Sequence, residues 1–206
     1  MYFLGINDPF PVVEEASEEG LLAVGGDLSP QRLINAYSHG IFPWYDSSQP
    51  ILWWSPDPRM VLFPERLKVS KSMKQLLKKE VFSVTFNQCF EKVISECSKI
   101  ARTGQNGTWI TSEMQNAYSN LHKLGFAHSV EVWQEEKLVG GLYGIFLKDK
   151  KVFCGESMFS KVSNASKFGF IKWVEFLKLE GVKLIDCQIY TSHLESLGAE
   201  EIPRKE

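Results

Sequence analysis

The chain is expected to fold as an α+β (mixed α/β) protein, on three observations. Apolar residues recur at helical spacing from Asn164 to Glu180, where Phe170, Ile171, Val174 and Leu177 share one face. Two apolar runs, His128 to Trp133 and Leu138 to Leu147, flank the polar turn Gln134-Glu135-Glu136-Lys137 and read as an antiparallel hairpin. Residues 1–60 are rich in Pro, Gly and aromatics, so a small, loop-heavy domain at 1–60 precedes a larger one at 61–206.

Taken in order, Ser29-Pro30 opens a helix over Gln31 to Ser38 that stops near Gly40. Pro43, Pro50, Pro56 and Pro58 then exclude regular structure until Met60-Val61-Leu62-Phe63. Ser70 caps a short helix, Val81 to Phe86 reads as a strand, and Asn87 caps a helix running to Ala101. A polar loop, Arg102 to Gly107, leads to a short strand at Trp109-Ile110. A helix follows from Thr111-Ser112-Glu113 to Leu124, ended by Gly125. After the hairpin come a strand at Val152 to Phe159, the periodic helix, and a strand at Lys183 to Ile189.

Composition excludes several classes. At 206 residues, 44% hydrophobic and 23% charged, the chain can bury a real core. A net charge of −2 gives no general affinity for nucleic acid, so any such partner needs a local patch. The start, Met1-Tyr2-Phe3-Leu4-Gly5-Ile6, lacks the basic region and long apolar core of a signal peptide, and a cytoplasmic location is expected. No apolar run approaches the ~20 residues that span a bilayer, so no membrane partner is expected. The four cysteines (Cys89, Cys97, Cys154, Cys187) and four histidines show no metal-ligand spacing, so no metal is expected.

Polar residues inside apolar runs mark where chemistry could lie. Asp186 and Gln188 alternate with Ile185, Cys187 and Ile189, so on a regular strand they share a face as either a satisfied core network or a site. Glu156 interrupts a similar run, Gly155 to Ser160. Leu21 to Ser29 carries Gly25-Gly26-Asp27, a tight turn that lacks phosphate-loop chemistry. Tyr37, Phe42, Trp44, Tyr45, Trp53 and Trp54 form an aromatic belt, either a wall for a flat ligand or the packing of a strand-poor domain. Lys71, Lys74 and Lys78 fall on one helical stripe, either a solvated face or a phosphate contact. No acyl-CoA pyrophosphate turn, no G-x-S-x-G elbow and no activated cysteine is present, which disfavours covalent catalysis.

Nine ordered segments carry a resemblance: LLAVGGDLSPQRLINAYSHGIFPWY, ILWWSPDPRMVL, GTWIT, AHSVEVW, LVGGLYG, FCGESMFS, NASK, LIDCQ and SLGAEEIPR. Through them the chain resembles the bacterial leucyl/phenylalanyl-tRNA–protein transferases over nearly its whole length. The resemblance implies a small N-terminal domain followed by an acetyltransferase-like (GNAT-related) domain. It implies transfer of leucine or phenylalanine, and less well methionine, from aminoacyl-tRNA to an N-terminal Arg or Lys of an acceptor protein, marking that protein for degradation.

Asp186 and Gln188 match the family's catalytic pair, with Gln188 at the reacting amine or carbonyl and Asp186 orienting it. Glu156 matches a site carboxylate, here assigned to the acceptor's cationic end. Phe153, Ile185, Leu142 and Leu177 match the pocket for the transferred side chain; Leu142 stands where the family pattern has methionine and Leu177 where it has phenylalanine. Trp44 and Trp109 match tryptophans near the terminal adenosine, with Tyr37 and Tyr118 as further candidates, and the lysine stripe becomes a contact to the tRNA acceptor stem. A monomer with no cofactor is expected. An acyl-CoA-dependent N-acyltransferase and a non-enzymatic RNA- or peptide-binding module are the competing readings.

Overall fold

Side-chain caps fix where most helices begin. The structure, a computed structural model, describes residues 1–79, 81–100 and 108–206. Ser29 accepts a hydrogen bond from the Arg32 N–H and opens α1 (Pro30–Ser38), with Pro in its first turn. Ser70 does the same for α2 (Lys71–Leu77) through the Met73 N–H.

Helix α3 (Phe90–Ser98) departs from expectation. Asn87 is not its cap. It sits in the left-handed region at φ 60°, and its side-chain oxygen accepts from the Ser129 N–H. The start of α3 is held instead by the Glu131 carboxylate, which accepts from the N–H groups of Gln88 and Cys89 and from the hydroxyls of Thr85 and Ser129. Four donors and a helix N-terminus account for a carboxylate buried to 0% exposure. Thr111 caps α4 (Ser112–Lys123), which ends at Gly125 with φ 82°. Trp109-Ile110 forms no strand: the Ile110 N–H turns back to the Thr108 hydroxyl and the chain runs straight into the Thr111 cap. Ala101 and the loop expected from Arg102 to Gly107 lie outside the described residues.

The first 57 residues hold more regular structure than their prolines suggest. Four short strands, β1 (Tyr2–Leu4), β2 (Leu21–Gly25), β3 (Phe42–Pro43) and β4 (Leu52–Trp54), form a sheet in the order β1-β2-β4-β3. β1 runs parallel to β2, and the other pairs are antiparallel. Strands of two to five residues are too short to show alternation. The Gly-Gly-Asp turn forms as expected, with Gly25 and Gly26 at φ 92° and 76° and Asp27 accepting from the Ser29 N–H.

The larger sheet contains β5 (Arg59–Leu62), β6 (Ser83–Phe86), β7 (Ala127–Gln134), β8 (Lys137–Leu147), β9 (Val152–Ser160), β10 (Leu184–Gln188) and β11 (Glu200–Ile202), in the order β11-β5-β10-β9-β8-β7-β6. The expected β7–β8 hairpin is present, with Glu135 in the turn at φ 55°. β9 and β10 run parallel, joined by the crossover helix α5 (Ala165–Leu179); every other pair is antiparallel. A short helix, α6 (Ser192–Ser196), and β11 close the chain, and neither is long enough to announce itself by periodicity. The architecture is thus mixed α/β with an N-terminal domain.

A core lies on each face of this sheet. On one, Val93, Ile94, Tyr118 and Leu121 of α3 and α4 meet Tyr143, Ile145, Cys154 and Phe159, and the core continues into the N-terminal domain through Tyr37, Phe42 and Trp53. On the other, Phe170, Trp173, Val174 and Leu177 of α5 cover Met60, Leu62, Leu142, Phe153 and Ile185. No described helix is long and apolar enough to cross a membrane.

Gly144 of β8 has no room for a side chain: a Cβ there would fall 2.3 Å from the Cys154 carbonyl oxygen and 2.4 Å from the Phe153 ring, both on β9. Gly144→Ala should therefore lower unfolding stability by about 1–3 kcal/mol, as overpacking does, measured from the urea midpoint. An unchanged midpoint would show that the two strands separate there at no cost.

Candidate active site

The site is built where two neighbouring strands lose register. β9 pairs with β10 at Val152–Leu184, Phe153–Ile185 and Cys154–Asp186, and there the ladder stops. On β9, Gly155 faces Gly144 of β8 while Ser157 faces Tyr143, which leaves Glu156 as an extra, unpaired residue. The phase of β9 changes accordingly: Phe153 and Met158, an odd number of residues apart, both join the core under α5. On β10, Asp186 faces Val61 and Gln188 faces Met60, so Cys187 is the extra residue. Gln188 is driven to φ 68°, a conformation that favours glycine and persists only when its surroundings hold it.

Those bulges overturn the regular alternation expected of Asp186 and Gln188. The two are linked through the backbone: Asp186 Oδ1 accepts from the Gln188 N–H at 2.9 Å. The side-chain amide turns away, and Gln188 Nε2 donates to Glu156 Oε1 at 3.0 Å. Asp186 is occupied by Arg59, whose Nε and Nη2 donate to Oδ1 and Oδ2 at 2.8 and 2.7 Å. Both members of this pair are buried, and breaking such a pair costs about 3–5 kcal/mol. The Arg59 guanidinium lies 4.8 Å from the centre of the Phe42 ring, and its Nη1 has no hydrogen-bond partner among the described residues.

Beyond the point where β9 and β10 part, a cavity of about 440 Å³ opens, at the carboxyl end of β10, where α/β sheets place ligands. Leu142, Phe153, Phe170 and Ile185 form its aliphatic and aromatic walls, Phe42 and Trp44 of the N-terminal domain and Trp109 also line it, and Glu156 and Gln188 supply polar groups. Cys187 also lines it, but burial, followed by the Asp186 charge, raises its thiol well above the ordinary range, so it is no thiolate nucleophile. Among the described residues no cluster of three or more His, Cys, Asp and Glu could hold a metal ion.

Glu156 is half-buried and wired on two sides. Besides Gln188, it accepts from the Tyr118 hydroxyl at 3.1 Å, and Tyr118 is hydrogen-bonded to Tyr37. Burial pushes its carboxyl from 4.5 up to about 7; hydrogen bonds from Tyr37, Tyr118 and Gln188 oppose the rise and the Asp186 charge adds to it. Both phenols are raised well above 10 by burial and stay protonated donors. A carboxyl near 7 changes charge in the range where an amine does.

The structure therefore brings together Glu156, Gln188, Trp44, Trp109, Phe153, Ile185 and Leu142 around one cavity. Asp186, Tyr37 and Tyr118 stand behind Glu156 and Gln188. Leu177 does not line the cavity: it lies in the core two turns along α5 from Phe170, which takes the wall position. Lys71, Lys74 and Lys78 are exposed on and just after α2, away from the cavity walls. The aromatic belt serves both of its readings, with Trp44 at the cavity, Phe42 at the cavity and in the core, Tyr37, Tyr45 and Trp53 in the core, and Trp54 packed against it. Sequence reasoning does not single out Arg59 or Phe170 as site residues. Arg59 carried a signal, a charge entering the apolar run Met60-Val61-Leu62.

Residues 61–206 match the family described as leucyl/phenylalanyl-tRNA protein transferase, and residues 26–57 match the N-terminal domain of the same family. A leucyl/phenylalanyl-tRNA–protein transferase of Christiangramia forsetii is 68% identical over 100% of this chain and 97% of its own length. That of Flavobacterium johnsoniae is 62% identical over 100% and 96%. Among solved structures the chain is similar to FemX, with a TM-score of 0.56 at 11% identity over 84% of this chain and 66% of that one, a likeness of fold.

Because native Glu156 holds its proton to about pH 7 while an unfolded glutamate loses it near 4.5, its contribution to stability falls as pH rises between those values. Tyr118→Phe removes a hydrogen bond to the carboxylate and should move the Glu156 midpoint above 7, read from the side-chain carboxyl carbon in an NMR titration. A midpoint that stays or falls would contradict the electrostatics described.

Proposed function

The chain belongs to the leucyl/phenylalanyl-tRNA protein transferase family and is an aminoacyltransferase that takes its acyl group from aminoacyl-tRNA and gives it to a protein; from that premise we propose that it transfers leucine or phenylalanine, and less well methionine, to an N-terminal Arg or Lys. A leucine or phenylalanine so placed marks the acceptor protein for degradation. The enzyme works as a cytoplasmic monomer, in the compartment that holds charged tRNA. The observation that carries the reading is the Glu156–Gln188 hydrogen bond at 3.0 Å, set at a mainly apolar cavity that Trp44 and Trp109 also line.

The transferred side chain sits among Leu142, Phe153, Phe170 and Ile185, and the terminal adenosine lies against Trp44 and Trp109. An aminoacyl ester is already activated, so the amine needs alignment, loss of a proton, and help through a tetrahedral intermediate. Gln188 Nε2 is committed to Glu156, which leaves its amide oxygen for the attacking N–H. Glu156 meets the acceptor's amine and accepts its proton. The C–N bond forms, the C–O bond to the ribose breaks, and the ribose oxygen leaves with that proton. Asp186 acts from behind, through the backbone of Gln188. A wall of hydrocarbon separates substrates differing by a methylene by only about 1–3 kcal/mol, which fits a donor range of leucine, phenylalanine and methionine. Lys71, Lys74 and Lys78 offer the phosphates of the acceptor stem an exposed cationic stripe.

Incubation with phenylalanyl-tRNA and an Arg-terminated peptide should yield the Phe-Arg product, with kcat/KM rising as pH passes about 7. Glu156→Gln should remove that rise and increase KM for the peptide more than for the charged tRNA; the opposite order would remove Glu156 from the acceptor side. Replacing Lys71, Lys74 and Lys78 together by Ala should flatten the salt dependence of tRNA binding by about 0.7–0.9 log units per lost phosphate contact. An unchanged slope would return the stripe to an ordinary solvated face.

A further inference from the structure

We infer that Arg59 is a positioning residue for the transfer, acting through Asp186 on the backbone of Gln188, an inference that rests on Gln188 being the group beside the reacting carbon. Asp186 Oδ1 is shared. It accepts from Arg59 Nε at 2.8 Å and from the Gln188 N–H at 2.9 Å, while Oδ2 is held by Arg59 Nη2 at 2.7 Å. The two-pronged grip fixes the plane of the carboxylate, and that plane aims Oδ1 at the Gln188 N–H. The Gln188 N–H in turn belongs to a residue at φ 68° directly after the extra Cys187. Left alone, that backbone relaxes to a conformation with negative φ, and the side-chain amide swings out of reach of Glu156.

Arg59 is placed to do this by its own strand. It opens β5, whose Met60 and Val61 face Gln188 and Asp186 across the ladder. Phe42 lies against the guanidinium on the cavity side, at 4.8 Å, and lines the cavity itself. Burial works against the guanidinium's charge and Asp186 more than restores it. Arg59 does not line the cavity, so its effect on the reaction passes through the residues it holds. Lysine cannot take its place. An ammonium is a single point and cannot span both carboxylate oxygens in one plane, so the charge would be kept while the aim of Oδ1 is lost.

The test is a cycle of single-turnover transfer rates at saturating charged tRNA and Arg-terminated peptide, for the unaltered enzyme, Arg59→Lys, Gln188→Ala and the double variant, with urea midpoints measured in parallel. Arg59→Lys should slow transfer by about 100-fold, the order expected of a small misplacement, with KM for both substrates nearly unchanged. The double variant should be no slower than Gln188→Ala alone, since both act on one group. Losses that multiply, or a normal rate in Arg59→Lys, would overturn the inference. A normal rate in Gln188→Ala would instead overturn the reading of Gln188 beneath it. Should Arg59→Lys fail to fold, the pair Arg59→Met with Asp186→Leu removes both buried charges together. That pair is expected to fold and to transfer as slowly as Gln188→Ala, and a normal rate there also overturns the inference.

Discussion

The site depends on one constraint: β9 and β10 must part after three paired residues, and something must hold them apart in a fixed shape. Each strand carries an extra residue at that point, Glu156 and Cys187. Bulges alone would leave the strand ends free to slide. The buried Arg59–Asp186 pair removes that freedom, because Asp186 ties the start of β5 to the Gln188 backbone. Gln188 then reaches across the gap to Glu156 and closes it on the far side. The cavity exists because the gap is braced at its neck and left open beyond.

This bracing also explains the division of labour among the carboxyl groups. Asp186 is paired with a guanidinium and buried, which suits it to hold geometry. Glu156 is half-buried, wired to two neutral donors, and pushed up to about 7. The two acids thus differ in role because one faces a cation and the other faces hydrocarbon and phenols. The walls need only be apolar and well packed, which the shared core of β8, β9, β10 and α5 provides.

What the sequence made legible follows from what governs each feature. The helix α5, the β7–β8 hairpin and the caps at Ser29, Ser70 and Thr111 are local, and local spacing found them. Asn87 misled because its side chain is claimed by Ser129, 42 residues away, a competition no window of sequence reveals. The N-terminal sheet escaped because its strands are two to five residues long and lie between prolines. Asp186, Gln188 and Glu156 stood out as polar groups in apolar runs, and the cavity walls came from family resemblance. Their geometry did not come through, since a bulge is a property of two paired strands and neither strand's sequence records it. Arg59 sits 127 residues from its partner. A buried aspartate implies a buried cation somewhere, and the charge at the head of Met60-Val61-Leu62 was the place to look.

The most direct measurement is a crystal structure with a non-reactive analogue, phenylalanine joined by an amide to the 3′ position of adenosine. The account places the phenyl ring among Leu142, Phe153 and Ile185, the adenine against Trp44 or Trp109, and the carbonyl carbon within reach of an amine held by Glu156 and Gln188. A ring bound outside this cavity, or a carbonyl turned away from Glu156 and Gln188, would contradict it.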